Sequence, residues 1–358
     1  MCDLRSVDPV LRSRRLRLYP TVKQEDALTR MGDARRFVYN WSLERLLVAE
    51  PRSETPMRDL TTLRREQRWL QEADSQALQQ AVRDSEWAVS RWHSGHASRP
   101  RFRARKRDRC RFRIPQRVRC EGNRVRCPKV GLIRFRGALP AGVDRIKTAT
   151  FSRERSGRWF VSLTFEVAPA VKGGGVHPAV GVDVGIVDLI VTSDGDRVPA
   201  PRNWGKSARL LARSHRRLSR CQRGSNGRVD AKRRLASQYE RTRNRRVDFL
   251  QKQTTRLTND YALICVEDLN IRGMARTKLS RGVHDAALGE FRRQLIYKSE
   301  TSGCTVAVIE RYFPSSKCCS GCGRRNATPS RRARHGAVQH VVSPTTVTST
   351  PRSTFATK

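Results

Sequence analysis

Acidic side chains, long apolar runs and, towards the C-terminus, both cysteine and carboxylate are what this chain of 358 residues is short of. Asp and Glu number 33 against 74 Lys and Arg, a formal charge of +41. Ordinary metabolic enzymes have no use for such an imbalance. Its field draws polyanions from a distance, so nucleic acids are the expected partners. A ribosomal-type RNA binder would fit the charge equally well, and charge therefore names a partner class and not an activity. No apolar run approaches the length of a membrane span, and Met1-Cys2-Asp3-Leu4-Arg5 opens on charges, unlike a secretory signal. The expectation is a soluble, cytoplasmic protein with no membrane partner. In that compartment the ten Cys are not expected to form disulfides. Cys110, Cys120, Cys127, Cys221, Cys265 and Cys304 stand singly and read as small buried or indifferent thiols.

What is present centres on two acids. Asp183 lies in the apolar strand pattern Ala179-Val180-Gly181-Val182-Asp183-Val184-Gly185-Ile186. A β-branched run follows, Val187 to Ser193, ending in the hairpin pair Asp194-Gly195. An ionised carboxylate inside a buried strand is costly unless a partner or a cation meets it. Two readings are open, a metal ligand or an edge-strand Asp facing water. Downstream, Tyr261 to Val266 is a second apolar run, and it delivers Glu267 at its C-terminal end. Carboxylates from separate strands of one sheet can converge on Mg²⁺, a hard cation that bridges phosphate oxygens. Phosphodiester nucleases are built in this way.

Three motifs carry a resemblance: Gly181-Val182-Asp183-Val184-Gly185, then Val266-Glu267-Asp268-Leu269-Asn270, then Phe313-Pro314-Ser315-Ser316-Lys317 leading into Cys319-Ser320-Gly321-Cys322-Gly323. In this order and spacing the chain resembles the TnpB (OrfB) family of insertion-sequence proteins, long named transposases and similar to type V CRISPR effectors. The resemblance runs from about Leu16 to about Gly323. It implies a RuvC-like nuclease domain of RNase H fold, with Asp183 and Glu267 as catalytic Mg²⁺ ligands. It also implies a guide RNA and a target DNA as partners, the DNA being cut beside a short flanking motif.

The expected fold class is α/β plus β: an RNase H-like mixed-sheet nuclease domain, a small β-barrel interrupted by a helical lobe, and half a zinc knuckle. Residues 1–24 read as the first part of the barrel, with a strand at Leu16-Arg17-Leu18-Tyr19 and a helix start beyond Pro20-Thr21. Residues 25–98 form the helical nucleic-acid-binding lobe. Leu28, Met31, Val38 and Trp41 recur at helical spacing in its first helix, and Leu63, Leu70, Leu78, Val82 and Trp87 in its second region. His93 and His96 read as surface residues at a helix end. Residues 99–172 complete a basic barrel, and here Arg99 to Arg119 holds eleven Lys and Arg against the single acid Asp108. Arg99, Arg101, Arg103, Arg105, Lys106, Arg107, Arg111 and Arg113 are candidate phosphate contacts, with Phe102 and Phe112 beneath the strand or stacked on a base. The clearest strand alternates Trp159, Val161, Leu163, Phe165 and Val167 with Phe160, Ser162, Thr164 and Glu166.

Gly173-Gly174-Gly175 places a linker at residues 173–178, and the nuclease domain covers 179–312. Within it, Arg202 to Arg256 carries eighteen Lys and Arg and only the acids Asp230, Glu240 and Asp248. Long basic helices are expected at 202–256, presenting Arg209, Arg213, Arg216, Arg217, Arg233, Arg234, Arg245 and Arg246 to a duplex. Thr305 to Ile309 reads as one more buried strand, and Asp268 and Glu310 as nearby acids that are not themselves ligands.

The pattern then stops. At 313–326, Cys319 and Cys322 have the spacing of one half of a tetrahedral Zn²⁺ site, but no Cys follows them and only His335 and His340 could substitute. The family implies a third catalytic Asp near a second Cys pair, yet no Asp or Glu occurs after Glu310. The segment 327–358, rich in Thr, Ser, Pro and Arg, reads as a disordered replacement tail, as a frame shift after Gly323 would produce. Mg²⁺ is then expected in a weak or incomplete site. The competing readings are an RNA-guided endonuclease, a nuclease-dead nucleic-acid binder and a truncated remnant. Oligomeric state stays open.

Overall fold

The computed structural model describes residues 10–48, 56–140, 143, 145–167 and 175–311, and the backbone of 335–336 and 345–346. The chain divides into two compact units, Leu11–Val167 and the part from Ala168 onward together with Met1–Val10.

In the first unit, β1 (Val10–Tyr19) leads into α1 (Val22–Val48), α2 (Pro56–Glu66) and α3 (Ser75–His93), with a short 3₁₀ turn at Arg68–Glu72. A capping box starts α1. The Gln24 amide donates to Thr21 Oγ1 at 3.3 Å, and the Thr21 amide donates to Gln24 Oε1 at 3.0 Å. Asp74 caps α3 by accepting from the Ala77 amide at 3.1 Å. Six strands follow: β2 (Arg111–Ile114), β3 (Arg119–Glu121), β4 (Arg124–Cys127), β5 (Gly131–Arg136), β6 (Ile146–Arg153) and β7 (Trp159–Val167). They join β1 in a seven-stranded sheet of order β2-β6-β7-β1-β5-β4-β3. β2 and β3 end this ladder without pairing with each other among the described residues, so it is an open ladder where a closed barrel was expected.

Period-two alternation works as read in β7, where Trp159, Val161, Leu163 and Phe165 are buried. Helices and sheet share one core. Leu28, Met31, Val38 and Leu43 of α1 and Leu78 and Val82 of α3 cluster with Phe112, Ile133, Phe151 and Trp159. Burying side chains of this size is worth about 1.5–3 kcal/mol each. The helical lobe expected at 25–98 is therefore half of a single unit. Trp87 departs from expectation: Leu78, Val82, Ser85 and Val89 form the buried face of α3, and Trp87 is five residues on from Val82, about 140° around the helix. It is 63% exposed. At Gly32 an added Cβ would lie 2.1 Å from Cys110 Sγ, so α1 crosses the approach to β2 where only glycine fits.

The second unit begins with β8 (His177–Asp183), which takes in two positions of the expected linker. Gly173 and Gly174 lie outside the described residues, and Gly175 packs so tightly on Tyr261 that a Cβ there would meet its carbonyl carbon at 2.2 Å. Next come β9 (Asp188–Thr192), β10 (Arg197–Pro199), α4 (Asn203–Arg220), α5 (Asn226–Asp260) and β11 (Tyr261–Glu267). The unit continues with α6 (Ile271–Met274), α7 (Ser280–Ala286), α8 (Leu288–Ser302) and β12 (Thr305–Ile309). The five strands order as β10-β9-β8-β11-β12. β8, β11 and β12 are parallel, while β9 runs antiparallel to β8 and β10 to β9. The core gathers Val180, Val182, Leu189, Ile264, Val266, Leu250, Phe291 and Leu295. Between α5 and α8 the buried Lys298 ammonium donates to Gln251 O, Thr254 Oγ1 and Thr255 Oγ1 at 2.7–2.8 Å.

Among the described residues β12 is an edge strand, with Thr305 and Val308 exposed where a buried strand was expected. Cys127, Cys265 and Cys304 are buried, Cys110, Cys120 and Cys221 half-buried, and all six are free. Apart from a two-residue pairing of His335–Gly336 with Thr345–Thr346, the expected partial zinc finger and the tail lie outside the described residues.

Candidate active site and nucleic-acid surface

Asp183 and Glu267 are the last residues of β8 and β11. The parallel register pairs Val182 with Val266, so one step further the two acids stand side by side at the C-terminal edge of the sheet. Open α/β sheets bind ligands outside this edge. Asp183 ends its strand with an exposed side chain instead of sitting inside it, and Glu267 is half-buried. The Asp183 pKa is raised, first by the desolvation that its neighbours impose and second by the charge of Glu267, against a backbone hydrogen bond from Val184. Two like charges held at one edge are a ready pair of oxygen ligands for a hard divalent cation. Among the described residues no group of three or more metal-ligating side chains gathers. Cys319 and Cys322 lie outside the described residues.

Immediately beyond Glu267, Asp268 is fully engaged. Arg292 Nη1 donates to its Oδ1, Arg311 Nη2 to its Oδ2 at 2.7 Å, and Arg311 Nε to its carbonyl at 3.2 Å. Arg292 first and Arg311 after it hold this carboxyl below the usual carboxylate range. The Asp268 amide also donates to the Ile309 carbonyl at 3.0 Å. Asp268 therefore locks the end of β11 to α8 and to the end of β12, and Glu310 is exposed. The sequence signals only that Asp268 is acidic; its two guanidinium partners were not foreseen.

The basic residues divide by what they touch. Of the first set, Arg103 lies 3.7 Å over the Tyr39 ring, Arg99 5.7 Å over Trp92, and Arg113 donates to Gln80 Oε1 at 2.6 Å. Arg105 meets Asp33 at 3.7 Å, and Arg107 donates to the Phe102 carbonyl. Arg101, Lys106 and Arg111 remain exposed with no such contact among the described residues. Residues 99–110 form no strand, so the expected β region begins only at Arg111. Phe112 is fully buried and stacked on Phe151 at 5.1 Å, whereas Phe102 is 49% exposed. A cleft of about 1000 Å³ lined by Arg117, Arg119, Arg145 and Lys147 over Val118 and Ile146 adds a cationic mouth to this unit. In the second set Arg209, Arg213, Arg216, Arg217, Arg233, Arg234 and Arg245 are exposed on α4 and α5. Arg246 is half-buried and spent on the His284 carbonyl at 2.9 Å. His93 and His96 are exposed at the end of α3, as read.

The OrfB IS605 family model, described as a probable transposase, matches residues 166–278, which hold β8 to β11 and both acids. A protein of Streptomyces pristinaespiralis whose name describes an RNA-guided DNA endonuclease is 35% identical over 331 residues, 88% of this chain and 81% of that one. The chain belongs to the TnpB (OrfB) family. Escherichia coli K12 InsQ, a TnpB-family relative named in the same terms, is 30% identical over 86% of this chain and 82% of its own. A helix-turn-helix model of the family covers residues 10–48, here β1 and α1. A model of the Cas12f1-like TNB domain covers 289–346, so the likeness to known domains runs past Gly323, where the sequence reading ended it. The fold resembles that of Cas12f1 in its cryo-EM complex with sgRNA and target DNA, with a TM-score of 0.51 at 12% identity over 89% of this chain and 92% of that one. The TnpB-family chain thus has the α/β architecture of that effector. No helix among its described residues is long and apolar enough to cross a membrane.

Proposed function

We propose that this chain is an RNA-guided DNA endonuclease whose second unit is an RNase H-like, RuvC-like domain, with Asp183 and Glu267 as its catalytic carboxylates. The observation that carries the reading is the side-by-side placement of these acids at the C-terminal ends of adjacent parallel strands, Asp183 with its pKa raised in part by Glu267. The strand order β10-β9-β8-β11-β12, with β9 alone antiparallel to both neighbours, supports the RNase H-like assignment. The names of the curated relatives support guide RNA and DNA as partners. The exposed cationic residues of α4 and α5 would neutralise backbone phosphates of either strand.

The donor set at the edge fits Mg²⁺, and Asp183 and Glu267 are the residues that would hold it. When bound, such an ion stabilises charge on the reacting phosphate and lowers the pKa of its water. Asp183 and Glu267 orient the site through the rigid register of β8 and β11, and Asp268, clamped by Arg292 and Arg311, fixes the strand end that presents Glu267. Zn²⁺ at Cys319 and Cys322 belongs to the same proposal.

A second reading, nucleic-acid binding without cleavage, draws on the absence of any Asp or Glu after Glu310. The test is Mg²⁺-dependent cutting of a duplex target by the purified protein with RNA transcribed from its own locus, beside Asp183→Ala. Cutting by the native chain alone is the expected result. Tight binding with no cutting by either protein would replace the first reading by the second.

A further inference from the structure

Beside the acidic edge lies a cleft of about 370 Å³, lined by Ile186, Ala200, Arg202, Trp204, Arg281 and Asp285 among others. Its walls leave the sheet at one edge. β8 ends at Asp183, and Ile186 belongs to the turn into antiparallel β9. β10 returns to that edge and continues through Ala200 into α4, while α7 follows the C-terminal end of β11. The cleft is therefore outside the same strand ends that carry Asp183 and Glu267. Its interior is mainly apolar, with the half-buried Trp204 indole braced on Tyr239 at a ring distance of 6.0 Å. Arg202 and Arg281 are exposed at its margins and meet no carboxylate among the described residues. The Asp285 carboxylate is spent within the fold, accepting from the Trp204 amide at 2.9 and 3.1 Å.

An apolar slot with one indole, flanked by two exposed guanidiniums, is chemistry suited to a planar aromatic ring carried between phosphates. We infer that this cleft seats an unpaired base of single-stranded DNA, stacked against Trp204, with the adjoining phosphates on Arg202 and Arg281, so that the strand is held as it reaches the carboxylate edge. The inference rests on the proposed nuclease reading for the choice of DNA, but the seat itself needs no cutting. Trp204 is a base-binding residue here, and Arg202 and Arg281 bind the phosphates on either side of that base.

The test is photocrosslinking of the full-length protein, without divalent cation, to a single-stranded DNA oligonucleotide carrying 5-iodouracil, with the adduct mapped by mass spectrometry. An adduct on Trp204 is expected. Trp204→Leu, which keeps apolar volume, should lower the yield about tenfold, and Arg202→Gln with Arg281→Gln should shallow the salt dependence of oligonucleotide binding by about 1.4 in logarithmic slope. Adducts mapping only elsewhere, equal yields from native and Trp204→Leu proteins, or an adduct formed with the matching RNA and not with DNA would overturn the inference. An intact Trp204 adduct in a protein that never cuts would sink the nuclease reading alone, and cutting without the adduct would sink this one alone.

Discussion

The sheet of Leu11–Val167 and the sheet of the second unit both bury apolar strand residues, the first rich in aromatics and the second mainly aliphatic, and they differ most at their strand ends. In the first, strand after strand turns apolar groups into one core shared with the helices, and charges around that core find partners, such as Arg35 of α1 with Asp84 of α3 at 2.5 Å and Arg153 of β6 with Glu25 of α1 at 2.6 Å. In the second, the two best buried parallel strands each finish on an acid, and those acids face each other with like charge. A conflict of that kind is kept by a sequence only where something outside the fold relieves it. The first sheet is organised for stability, and the second gives up stability at one edge, where the proposed site lies.

This contrast can be broken by exchanging readouts between the units. The largest expected effect is on cleavage: Glu267→Ala should lower the rate about a thousandfold or more, a loss of roughly 4 kcal/mol in transition-state stabilisation, while urea unfolding stays near native. If unfolding moved as much as cleavage, the edge would be structural after all. Trp159→Ala should do the reverse, removing about 3–5 kcal/mol from unfolding through a core cavity. Next, Gly32→Ala should cost about 1–3 kcal/mol, because the new methyl would enter the space of Cys110 Sγ. A Gly32→Ala, Cys110→Ala double variant should recover part of that loss in the same denaturation experiment.

The smallest effect concerns Asp183. Its pKa is raised in the folded chain, so the fold binds that proton more tightly than the unfolded chain does. The resulting stability is present below the unfolded carboxylate's range and is lost as pH rises through the raised value. Asp183→Asn should therefore raise Tm slightly at neutral pH, and the two proteins should melt together below about pH 4. A variant that melts lower at neutral pH would contradict the repulsion between Asp183 and Glu267.

Much of this was legible where the pattern is local. The alternation of Trp159 to Phe165 and the apolar runs ending at Asp183 and Glu267 encode strands because burial follows a period of two or a continuous run. What escaped depends on partners distant in sequence. The basic run at Arg99 to Arg113 looks uniform, but Tyr39, Asp33 and Gln80 engage three of its arginines from the helices, leaving fewer for phosphate. The exposed edge position of β12 follows from sheet order, which Thr305 to Ile309 alone does not encode. The Trp204 cleft needs three segments to converge, and no spacing marks it.

The clamp on Asp268 has a consequence in time. Arg292 and Arg311 lie 24 and 43 residues beyond the acid they hold. A chain emerging from the ribosome exposes Asp183 first, then its cationic helices α4 and α5, then Glu267, and only later the guanidiniums that fix the strand presenting Glu267. During synthesis, then, the cationic helices are complete before the acidic edge is set, and a product ending at residue 304 would keep those helices and Arg292 but lack β12 and the Arg311 half of the clamp.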